Sequence, residues 1–128
     1  MRKKSERLLT FFDKYREKNL KVPIIVEGKR DISSLRKLDF RGEIILLNTG
    51  KSLMGKAEII SEEYKEVIIL TDFDRKGVFL KNRIVTYLMS LGIQADLSLW
   101  NYVSKNMPAR TVEQLPWAYD TVLTQEMR

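Results

Sequence analysis

Neither cysteine nor histidine occurs among the 128 residues. Their absence excludes disulfide staples, Cys/His zinc sites, Ser-His-Asp triads and Cys-His nucleophile pairs together. Any catalysis must draw on carboxylates, lysine, arginine or hydroxyls, an inventory that suits hard, oxygen-bound cations such as magnesium. Long apolar runs are missing as well, since no stretch approaches the ~20 apolar residues of a membrane span. The opening "MRKKSERLLTFFDKYREK" breaks its apolar positions with charge throughout, unlike a secretory leader. A cytoplasmic location without a membrane partner is the expectation.

What remains is a globular composition, 44% hydrophobic and 31% charged, in a chain of a length that suits one domain over residues 1–128. The net charge of +6 is uneven. Residues 1–21 hold eight Lys/Arg against three Asp/Glu, a net of +5, and the rest of the chain is close to neutral. A basic arm beside a neutral core suits a phosphate backbone as ligand, and equally describes a solvated helix that aids solubility.

Leu8, Phe12 and Tyr15 fall at helical spacing, so residues 4–19 read as an amphipathic helix within a basic N-terminal segment, 1–20. Residues 21–100 read as the core and 101–128 as a C-terminal extension. Three continuous apolar runs, "VPIIV" (22–26), "EIILLN" (43–48) and "EVIILTD" (66–72), alternate with helical patterns over about 32–38, 53–63 and 78–91. Asp31 is the expected cap of the first of these helices, and Gly92 the stop of the last. "IQADLSLW" (93–100) offers a fourth strand, Thr111 to Gln114 a capping box, and 117–125 a closing helix. Strands apolar on both faces and separated by helices indicate an α/β fold, a parallel sheet of about four strands flanked by helices on both faces.

In such sheets the functional crevice lies at the carboxyl ends of the strands. Glu27 sits at one such end, and Asp72 and Asp74 at another, two apart and so directed to one side of an extended chain. If the first and third strands are neighbours, the three carboxylates converge. Two like charges about 4 Å apart repel by roughly 4 kcal/mol at an effective dielectric near 20, so a divalent cation or partial protonation is required. Glu27 suits either metal ligation or proton transfer. Lys29, Arg30, Arg75 and Lys76 are placed to hold phosphate oxygens, while Gly28 and Gly77 permit close backbone approach. "NTGKS" (48–52) is not a nucleotide-binding loop, because that motif needs glycine five positions before Gly50 and Ile45 stands there. Gly50 to Ser52 still suits a phosphate at a helix start.

"VPIIVEGKRD" followed by "VIILTDFDRKG" resembles the Toprim domain shared by type IA and type II topoisomerases, bacterial-type primases, recombination-mediator proteins and the maturase of 5S ribosomal RNA. Size and spacing are most similar to small stand-alone Toprim proteins and to the maturase's domain. The resemblance makes Glu27 the Toprim glutamate and Asp72 and Asp74 its D-x-D pair. It implies a Rossmann-like Toprim fold, dependence on magnesium or manganese, and phosphodiester cleavage or transfer on RNA or DNA, with RNA processing as one form. Phe73 replaces the frequent proline of "TDPD", and Lys76 stands where type IA topoisomerases carry glutamate, which argues against strand passage. The alternative is a binding module that keeps the site but only grips nucleic acid or a protein partner.

Overall fold

The computed structural model describes residues 3–125, so the outermost parts of the expected N-terminal segment and C-terminal extension, 1–2 and 126–128, lie outside the described residues. Strands β1 (Ile24–Val26), β2 (Ile44–Leu46), β3 (Glu66–Ile69) and β4 (Gln94–Asp96) form one parallel sheet in the order β2-β1-β3-β4. Placing β1 beside β3 brings their carboxyl ends together, as convergence of the acids requires.

Helices α1 (Lys4–Asn19), α2 (Lys29–Lys37), α3 (Leu53–Glu63), α4 (Arg75–Ser90), α5 (Ser98–Asn106) and α6 (Leu115–Gln125) cover the two faces. Alternation along each strand sorts the side chains. Ile24, Val26, Ile68 and Leu70 meet Leu8, Phe12 and Tyr15 of α1, Leu35 of α2, Leu99 and Val103 of α5 and Ala118 and Val122 of α6. Ile25, Val67 and Ile69 face Ala57 and Ile60 of α3 and Ile84 and Leu88 of α4. Among the described residues no helix is long and apolar enough to cross a membrane.

Three expectations change. The segment 93–100 is not one long strand: pairing ends at Asp96, and Ser98 opens α5. Leu99, Trp100 and Val103 are buried at helical spacing there, so packing against the sheet overrides the strand-like look of "LSLW". Asp31 is not the N-cap residue of α2, because the helix starts earlier, with Gly28 as N-cap; Asp31 stands at the third position of the first turn, and its carboxylate accepts the Gly28 N–H from there. Thr111 makes no side-chain cap; Gln114 Oε1 instead accepts the Arg110 N–H at 2.8 Å, before a short 3-10 turn over Val112–Gln114. Gly92 follows the C-cap of α4 in the left-handed region, φ 80°, which is its expected role.

The basic N-terminal helix is a structural element. Besides its buried apolar stripe, its Tyr15 hydroxyl donates to Asp96 Oδ2 at 2.8 Å, and Lys18 Nζ pairs with both Glu66 and Asp96. Those partners pull the Asp96 carboxyl below its ordinary value despite its burial, and hold Lys18 up at about 12.

Candidate metal and phosphate site

The parallel ladder explains why an apolar strand ends on glutamate. Ile68 N–H donates to the Pro23 carbonyl and Leu70 N–H to the Ile25 carbonyl, each at 2.8 Å. The next donor in that register, the Asp72 N–H, goes to the Glu27 side chain, at 2.7 Å from Oε2. A carboxylate thus finishes the ladder where the two strands begin to part. Asp72 is held in turn, its Oδ1 accepting the Val112 N–H at 2.8 Å. Both residues line a cleft, and among the described residues no buried side-chain oxygen is left without a partner.

That cleft, about 530 Å³, is lined by Glu27, Gly28, Lys29, Arg30, Asp31, Leu47, Asn48, Leu53, Asp72, Lys76, Leu80 and Glu113. It gathers two of the three anticipated acids and leaves Asp74 at its margin. β3 ends at Ile69 and the chain bends at Phe73 and Asp74, so side chains two apart no longer share a side. Asp74 Oδ1 instead accepts the Gly77 N–H at 2.8 Å as N-cap of α4. Among the described residues no three carboxylates gather closely enough to hold an ion between them. The cleft gains two acids instead: Asp31, buried, with Oδ2 accepting the Gly28 N–H at 3.1 Å, and Glu113, which faces it from the C-terminal segment.

Burial pushes the Glu27, Asp31 and Asp72 carboxyls above their ordinary values, and neighbouring carboxylates add to it: Asp72 and Asp31 act on Glu27, Asp72 and Glu113 on Asp31, and Asp74 and Glu113 on Asp72. Amide donors and, for Glu27 and Asp72, the Lys76 ammonium oppose the rise without cancelling it. Such a site is short of positive charge. Two carboxylates with free oxygens and room for water and phosphate match the oxygen-rich, partly hydrated shell of magnesium.

The glycines divide in role. A Cβ on Gly77 would stand 1.9 Å from the Asp72 carbonyl oxygen, so the start of α4 can pack under the Asp72 backbone only with glycine there. The Thr71 hydroxyl donates to the Gly77 carbonyl at 2.8 Å across the same contact. Gly28 has an ordinary extended φ of −140° and open space where a Cβ would stand, so the fold itself does not demand glycine. Lys29 and Arg30 are exposed beside it, and Arg30 reaches Glu113 only loosely, at 3.9 Å. Arg75 is exposed but does not line the cleft. At the start of α3, Ser52 Oγ accepts the Gly55 N–H at 3.0 Å, so that helix start, weighed as a phosphate site, is already capped by its own chain.

Residues 110–114 are the part of the site that sequence reasoning missed. The Arg110 carbonyl accepts the Phe73 N–H at 2.8 Å, Val112 N–H holds Asp72, and the Ser34 hydroxyl donates to the Glu113 carbonyl at 3.3 Å. The strap lies across the ends of β3 and α2. Val112→Pro isolates its role, because proline suits the first position of a helical turn and Thr111 already has the extended conformation that precedes proline. The variant is expected to fold yet bind Mn²⁺ about tenfold more weakly, through loss of a charge-assisted hydrogen bond. Val112→Ala, which removes more side chain but keeps the N–H, should bind Mn²⁺ as wild type does while melting lower. Titration of both variants checks this, and equal Mn²⁺ affinity in the two would remove the strap's orienting role.

A sequence model of the Toprim domain matches residues 22–105. The chain is 51% identical over 115 residues to a UPF0292 protein of Thermoplasma volcanium, covering 90% of this chain and 97% of that one. Among solved structures it superimposes on a protein from Aquifex aeolicus with TM-score 0.74 and 24% identity, over 84% and 96% of the two chains. It also superimposes on the primase fragment of the bacteriophage T7 primase-helicase protein, with TM-score 0.56 and 13% identity, over 86% of this chain and 45% of that one. The sheet order, the acids at the ends of neighbouring strands and these matches agree, and the chain belongs to the Toprim domain family, among the UPF0292 proteins.

Proposed function

We propose that the chain is a magnesium-dependent enzyme that cleaves or transfers phosphodiester bonds of nucleic acid. The observation that supports it most is the pairing of Glu27 and Asp72 from adjacent strands in a cleft that also presents Lys29, Arg30 and Lys76. Carboxylates alone would repel a polyanion. Free carboxylate oxygens beside lysine and arginine describe a place where a cation and a phosphate are held together.

Glu27 and Asp72 are the residues that would hold the ion, while the Asp74 carboxylate is engaged as the cap of α4. When bound, magnesium supplies positive charge to the phosphodiester and to its attacking oxygen. The remaining work belongs to the chain. Lys76 faces both carboxylates and is suited to a phosphate oxygen, and Lys29 and Arg30 to the flanking phosphates. The open backbone at Gly28 lets a phosphate approach the first turn of α2, where amides point outward. In place of ligating the ion, Glu27, with its carboxyl pushed up by burial, is suited to accept a proton at Oε1 while Asp72 N–H keeps Oε2 in place.

The test is direct. Purified chain is incubated with end-labelled single-stranded, duplex and hairpin RNA and DNA, in magnesium, in manganese and in chelator. Cleavage or transfer confined to the metal-containing lanes is expected. Binding without any change of substrate in either metal would replace the enzyme by the gripping module that keeps the same site.

A further inference from the structure

We infer that the outer face of α4 is a track for a single-stranded segment of nucleic acid, with Phe79 as the platform on which an unpaired base stacks. The inference rests on the functional reading above and adds to it the form of the substrate.

The sixteen residues of α4 carry Arg75, Lys76, Lys81 and Arg83 and no acid. Lys81 turns toward the body of the protein, its ammonium 3.8 Å from the centroid of the Trp100 ring. Arg75, Lys76 and Arg83 face outward, and none of the salt bridges among the described residues draws on them. On a helix, Lys76, Phe79 and Arg83 lie at successive three- and four-residue steps and form one stripe. Its first member lines the cleft. The stripe therefore begins at the carboxylates and leads away from them.

Phe79 is 57% exposed in the middle of this stripe. A large apolar ring among cations gains nothing from water, and the buried side of α4 already has its packing from Ile84 and Leu88. The Arg83 guanidinium lies over the Phe79 ring, 5.3 Å from its centroid, and within 5.8 Å of Tyr87. That contact steadies the ring and places a cation beside it. An exposed aromatic flanked by cations, with no acid on the helix to repel phosphate, is the chemistry that recognises single strands: the ring takes a base and the cations take the backbone. A duplex keeps its bases stacked on one another and offers Phe79 nothing but its phosphates.

The experiment measures binding of a fluorescein-labelled oligonucleotide of roughly 15 unpaired nucleotides, and of the same sequence as a duplex, to the full chain in chelator so that cleavage does not intrude. Phe79→Ala is expected to lower single-strand affinity by about tenfold, at least fivefold, and to leave duplex affinity and melting temperature unchanged. Phe79→Trp should bind the single strand at least as well as wild type. Arg83→Gln should reduce the slope of log affinity against log salt by about 0.7 on the single strand. Wild-type single-strand affinity in Phe79→Ala, or an equal loss on both substrates, would overturn the inference while leaving the enzyme reading intact. If the unaltered chain binds neither probe, the inference falls, and the cleavage assay in magnesium and manganese decides the enzyme reading separately.

Discussion

A chain that begins at Leu20 is expected not to fold. Leu8, Phe12 and Tyr15 of α1 are each 2% exposed or less, so their removal uncovers the sheet face they pack against. Burial of three such side chains contributes roughly 5 to 9 kcal/mol, against a total stability of about 5 to 15 kcal/mol for a domain of this size. Phe12 also stands between Phe40 and Tyr119, at 5.9 and 5.0 Å between ring centroids, and Phe11 stacks on Tyr102 at 4.3 Å. Polar ties go with them: Arg16 Nε donates to the Leu38 carbonyl at 2.7 Å, and Asn19 binds the Val22 and Glu43 carbonyls and the Gly42 N–H. Circular dichroism of the shortened chain should show lost helix and no cooperative melt. A sharp transition within a few degrees of the full chain's would mean that α1 is an appendage, and its charge would again be open to a separate binding role.

That helix shows where sequence reading stops. Eight basic residues in the first 21 look like an arm for a polyanion, and the apolar stripe at Leu8, Phe12 and Tyr15 looks like core; composition cannot weigh one against the other. Packing decides, because the same helix buries its stripe and sends Lys18 to Glu66 and Asp96. The first three strands were legible because each is an unbroken apolar run, which in a short chain has few alternatives to a doubly covered sheet. The fourth was legible only in part. Gln94–Asp96 is a half-exposed edge strand with little apolar signal, and the stronger signal after it belongs to α5.

For the site, Glu27 and Asp72 could be read from sequence because each ends a buried run, Glu27 directly after β1 and Asp72 after the buried Leu70 and Thr71 that follow β3. Asp74 shares their motif but lies past the end of the strand, where alternation no longer applies and its carboxylate caps α4. Glu113 and the strap had no local signal at all. Val112 meets Asp72 across 40 positions, through a backbone N–H that any residue except proline would supply. Contacts of that kind depend on where the chain returns, and side-chain identity does not announce them.

Asp72→Asn and Glu27→Gln are expected to lower metal-dependent cleavage by on the order of a thousandfold while leaving the fold as stable as before, or more so. Each amide keeps an oxygen for the N–H that orients the carboxylate, from Val112 or from Asp72. What it removes is charge. Both carboxyls are raised in the folded chain, first by burial, so between their ordinary values and the raised ones the folded state holds more protons than the unfolded state. Stability from this source is complete below the ordinary values and is lost as pH rises through the raised ones. At neutral pH the metal-free protein therefore carries a cost that the amide variants do not, and their melting temperature in chelator should equal or exceed that of the wild type. Magnesium should reverse the order, because an ion bound only by the folded wild type raises its melting temperature and leaves the variants where they were. Melting curves at pH 5 and pH 7.5, with and without magnesium, check every step. A variant that cleaves at the wild-type rate would refute the assignment of these acids, and one that melts far below wild type in chelator would mean that the carboxylates hold the strand ends together instead of opposing one another.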